Sequence, residues 1–123
     1  MSQPDDEFLP RTRLIQEAQP PVPTCWPALT DRESADALAT LEDWIDWLVD
    51  RYHLDHRTVP GCWQRHSALV EELSALHTAW ITAYAATTPG DRPLTWHHEF
   101  DLARHRLADW VARTGCRPGE HRR

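Results

Sequence analysis

Leu38, Leu41, Ile45, Leu48 and Tyr52 follow one another at spacings of 3, 4, 3 and 4 residues. A helix returns side chains to one face with that period, so this stretch is committed to a helix with one apolar seam. Thr30-Asp31-Arg32-Glu33 precedes it and reads as a capping box, Thr30 being the N-cap and Glu33 reaching back to its amide. Pro60-Gly61 breaks the chain after the first seam. A second seam, Leu69, Leu73, Leu76, Trp80 and Tyr84, begins between Trp63 and Ser67 and ends at Thr87-Thr88-Pro89-Gly90. A third, Trp96, Phe100, Ala103, Leu107, Trp110 and Val111, starts from Thr95 as N-cap. Gly115 closes it, where a left-handed C-cap residue is wanted. No strand-like alternation of useful length competes. The expected fold is all-α, an antiparallel three-helix bundle over residues 29–123. In that topology one end of the bundle gathers the end of the first helix, the start of the second and the end of the third.

Residues 1–28 do not share this patterning. Six of the ten prolines fall between Met1 and Pro27, where they withhold backbone donors and fix φ. A disordered proline-rich arm is expected there. It opens on Asp5, Asp6 and Glu7 with no apolar run behind them, unlike a signal peptide. No stretch approaches the ~20 apolar residues that span a bilayer. These features predict a cytoplasmic protein with no membrane association.

The three cysteines, Cys25, Cys62 and Cys116, are too few for a disulfide scaffold. Their neighbours are more informative. Cys62 and His66 form a C-x3-H pair, and Cys116 and His121 a C-x4-H pair. The expected topology brings both pairs to the same end, with His53 and His56 in the intervening loop as reserves. Two thiolates and two imidazoles make a complete tetrahedral zinc shell, and four protein ligands make such a site structural. Three reduced thiols, or a Cys62–Cys116 disulfide, are the competing readings. A helix-start cysteine can also be nucleophilic, with His66 near enough to act as base. No orienting group or oxyanion site accompanies them, and the chain does not read as an enzyme. No small-molecule substrate suggests itself.

Charge is unevenly spread. The net charge is −6, yet the last 22 residues carry six arginines against Asp109 and Glu120. Arg106, Arg113, Arg117, Arg122 and Arg123 are candidate contacts to phosphate or nucleic acid. Cations also serve simply to offset a helix dipole at its C-terminal end. Trp96-His97-His98-Glu99 looks like a metal motif, but adjacent histidines diverge by ~100° on a helix, so solvent-facing rings are expected. Seven tryptophans punctuate the chain. Trp80, Trp96 and Trp110 fall on seams. Trp44 and Trp47 flank the first seam and are the expected uncovered aromatics, suited to anchor a protein partner or a second copy of the chain.

Several of these residues recur together in a known pattern. They are Trp26-Pro27, Trp44, Trp47-Leu48, Arg51-Tyr52, Val59-Pro60-Gly61-Cys62-Trp63 with His66, and Leu69 to Leu73 with Trp80. Pro93-Leu94-Thr95-Trp96-His97, Phe100, Gly115-Cys116 and His121 continue it. Across residues 26–121 the chain resembles a family of small tryptophan-rich actinobacterial proteins of unknown function, often encoded on plasmids, prophages and conjugative elements. Gly61 stands where a second proline is usual. The resemblance implies an accessory role in mobile-element biology and no catalytic residue. The functional expectation is thus a non-enzymatic helical interaction protein, with a nucleic-acid-binding accessory protein, zinc-stabilised, as the alternative.

Overall fold

The computed structural model describes residues 21–117. The three α-helices among these described residues are α1 (Asp31–Tyr52), α2 (Ser67–Ala83) and α3 (Arg92–Thr114). Short 3-10 turns at Trp26–Ala28 and Trp63–Arg65 lead into α1 and α2. The all-α expectation holds among the described residues. Residues 1–20 of the predicted arm, and residues 118–123, lie outside them. Ahead of residue 29, Trp26 packs against the core and Pro27 fits the first turn of a 3-10 helix.

The capping box at Thr30 forms as expected. Glu33 N donates to Thr30 Oγ1 at 3.1 Å, and Thr30 N donates to Glu33 Oε1 at 2.9 Å. α1 ends on His53, whose φ of 56° is left-handed, with Leu54 N–H reaching back to the Val49 carbonyl. α3 starts a turn earlier than the Thr95 cap predicts. Proline is tolerated in a helix's first turn, where its missing N–H has no intrahelical partner in any case, so Pro93 lies inside the helix. Gly115, at φ 74°, terminates α3 as foreseen.

Three contacts fix how α2 and α3 run. Trp96 Nε1 donates to the Leu76 carbonyl at 3.2 Å, Arg106 forks onto Glu72, and Cys116 meets His66. Each step forward on α3 is a step back on α2, so the pair is antiparallel. The end of α1 departs from expectation. Tyr52 packs on Trp96, His97 and Phe100, in the first half of α3 rather than at its end. The segment 53–62 therefore carries the chain to the start of α2.

The core is strongly aromatic. Trp44 is fully buried, stacked on His77 with ring centroids 4.7 Å apart and edge-on to Trp96. Trp96 stacks on Phe100, and Leu41, Ile45, Leu48, Leu69, Leu73 and Leu107 fill the remaining space. This corrects the expectation that Trp44 is an uncovered partner anchor. It sits three residues after Leu41 and beside Ile45, inside the wide apolar stripe that a globular helix needs. Trp47 is half-buried and leans on Trp80, 5.2 Å away. Trp110 moves the opposite way. Leu107 and Val111 occupy the buried line of α3, leaving the Trp110 indole at the rim with 39% of its surface exposed. Within the described residues no helix is long and apolar enough to cross a membrane.

Candidate metal centre

Three of the four predicted ligands converge between the start of α2 and the end of α3. Each is delivered by a break in regular structure. Pro60-Gly61 turns the chain so that Cys62 precedes the Trp63–Arg65 turn, with Trp63 N–H donating to the Pro60 carbonyl and Arg65 N–H to the Cys62 carbonyl. Pro60 and Trp63 are both buried, which pins this corner to the core. His66 is the N-cap residue of α2, in extended backbone, so its ring is directed by the turn and not by the helix. Gly115 reverses the chain after α3 and brings Cys116 inward. Thr114 secures that reversal, since its hydroxyl donates to the Val111 carbonyl at 2.7 Å and accepts from Cys116 N–H at 3.1 Å.

The donor atoms meet closely. His66 Nε2 lies 3.5 Å from Cys62 Sγ and 3.4 Å from Cys116 Sγ, and all three atoms fall within 4.8 Å of one another. With zinc–sulfur bonds of about 2.3 Å and zinc–nitrogen bonds of about 2.0 Å, neighbouring corners of a tetrahedron stand about 3.5–3.8 Å apart. The two sulfur–nitrogen separations match those edges. Cys116 is buried, while Cys62 and His66 are half-buried. Burial pushes the Cys62 thiol's pKa up, and the adjacent Cys116 adds to the rise, while Arg65 pulls it down. Two thiols so placed lose their protons most readily to a cation, which replaces the mutual repulsion of two thiolates with coordination.

The other predicted residues separate. His121, Arg122 and Arg123 lie outside the described residues. His53 and His56 are exposed and stand apart from the cluster, although His56 and Cys116 line one cleft of about 450 Å³. His97 and His98 are exposed as expected, His97 being hydrogen-bonded to the Tyr52 hydroxyl at 3.0 Å. Arg106 is not a free phosphate contact, because it makes a two-pronged ion pair with Glu72, both distances being 2.9 Å. Arg113 lies 4.8 Å over the Trp110 ring, and Arg117 is exposed beyond the helix end.

Two residues that matter here carried no ready motif. Thr114 acts through a backbone hydrogen bond that its sequence neighbourhood does not announce. His77 continues the α2 seam at Leu73, His77, Trp80 and Tyr84, a spacing that could have marked it as facing the core. No family model, curated protein or solved structure matches the chain.

Proposed function

We propose that the protein is a non-enzymatic helical binding module whose α2–α3 pole is held by a structural zinc ion, serving an accessory role in mobile-element biology. The observation that carries the metal reading is the convergence of Cys62, His66 and Cys116 within 4.8 Å, with both sulfur–nitrogen separations close to tetrahedral edges. His121 is the fourth ligand in this reading, offered by its C-x4-H spacing from Cys116. A fourth protein donor leaves no open position for substrate, which makes the ion a staple and not a catalyst. A protein partner, or a second copy, docks on the rim around Trp110.

Protein purified without a tag should carry one zinc per chain. Its cobalt-substituted form should show the intense visible bands of a four-coordinate thiolate site. His66→Ala should abolish stoichiometric binding, and His121→Ala should weaken it and alter the cobalt spectrum. Absence of zinc, with stability indifferent to a chelator, would sink the proposal.

A second reading has its own observation. Arg65, Arg113 and Trp110 share a shallow cleft of about 370 Å³ whose lining includes no acidic residue. Guanidinium groups beside an exposed indole suit single-stranded nucleic acid, the charges meeting phosphate and the ring stacking on a base. Binding to a single-stranded oligonucleotide should then weaken steeply with salt and fall at least tenfold in an Arg65→Ala, Arg113→Ala double variant. Failure to bind at ~50 mM salt, where electrostatic contact is strongest, removes this reading.

A further inference from the structure

We infer that Cys62 and Cys116 are also a redox-modification site: a hydroperoxide oxidises them to a disulfide and thereby expels the metal. The inference rests on the zinc centre proposed above. Both sulfurs belong to one cluster no wider than 4.8 Å, whereas Cys25 lies outside that cluster and is exposed. Closing from there to the ~2.0 Å of a disulfide asks for less than about 3 Å of movement. Neither cysteine sits within a helix. Cys62 follows the Pro60-Gly61 turn and Cys116 follows the left-handed Gly115, so each can shift without breaking an α-helical hydrogen bond. Open space surrounds Gly61, where an added Cβ would meet nothing within 4 Å. Cys62 itself is only half-buried, so a small oxidant can reach this corner.

The steps balance with hydrogen peroxide as the oxidant. Cys62 is the more exposed sulfur, and its thiolate attacks one peroxide oxygen. A sulfur–oxygen bond forms, the oxygen–oxygen bond breaks, and hydroxide leaves. The Cys116 thiolate then attacks the Cys62 sulfur. The sulfur–sulfur bond forms, the sulfur–oxygen bond breaks, and a second hydroxide leaves. Two electrons pass from the sulfurs to peroxide, and two protons from solvent complete two waters. The cation has then lost both of its anionic donors and dissociates.

The test uses the full chain carrying Cys25→Ser, loaded with zinc and treated with peroxide. A chromophoric chelator reports released metal, and non-reducing peptide mapping reports linkage. One zinc should leave for each disulfide formed, with the Cys62 peptide joined to the Cys116 peptide and both changes reversed by reductant plus zinc. In a Cys116→Ser variant, a sulfenic-acid trap should label Cys62. Zinc retained, with both thiols still alkylated after peroxide, would overturn the inference while leaving the metal centre standing. Zinc lost without linkage would overturn it too. Linkage in a protein that never held zinc would refute the metal centre, and with it the expulsion.

Discussion

His77, half-buried overall, lies face to face with Trp44, and its buried Nε2 has no hydrogen-bond partner. Burial alone lowers its pKa to about 4, because an imidazolium there would lose its hydration and gain nothing in exchange. The consequence for stability has a definite sign. Above about pH 6.5 the ring is neutral in both folded and unfolded chains. Between that and about pH 4 only the unfolded chain takes up the proton, so stability falls as pH falls. The loss is ~3 kcal/mol at most for a shift of this size. His77→Phe keeps a flat ring against Trp44 and removes the proton. Urea unfolding from pH 7 to pH 4 should therefore show a shallower decline in the variant, and an unchanged slope would mean that the ring is solvated. The same neighbourhood explains why Trp44 was misjudged from sequence. A position flanking a seam is exposed only if the neighbouring helix presents nothing wide enough to cover it. Here His77, Trp80 and Trp96 cover it from two other helices.

Among the elements, the helix ends were legible where a side chain or a glycine does the capping. Thr30 with Glu33, and Gly115, act through local chemistry that three or four residues spell out in full. The end of α1 is different, because the left-handed position there belongs to His53 rather than glycine. A β-carbon in that conformation crowds the following carbonyl and costs roughly 1–2 kcal/mol. His53→Gly removes the crowding but gives the unfolded chain more freedom, which offsets part of the gain. A net stabilisation of about 0.5–1 kcal/mol is expected from denaturant melts, with the metal content unchanged because His53 stands outside the cysteine cluster. A destabilised variant would show instead that the imidazole makes contacts worth more than the strain. α3 began earlier than expected for an equally local reason: a proline near a helix start is compatible with the helix as well as with its boundary.

For the whole molecule, the helices could be read from periodicity but their assembly could not. Seams say which face is buried and leave open what buries it, and the large indoles decide that here. The pole of cysteines and histidine was foreseen from a bundle in which the end of α1 shares that pole. Instead Tyr52 rests on the first half of α3, and the irregular segment 53–62 delivers Cys62. His66 and Cys116 meet because α2 and α3 are antiparallel, the part of the topology that the short connection 84–91 makes easiest to anticipate. Viewed as a polymer, a tie between Cys62 and Cys116 closes a ring that encloses α2 and α3 and leaves α1 outside it. Such a closure lowers the entropy of the unfolded ring by the equivalent of about 4 kcal/mol at room temperature. That advantage belongs to the hairpin alone. α1 is held to the hairpin by its buried rings, so it is the part of the chain free to leave first, while the closed hairpin keeps its ends together.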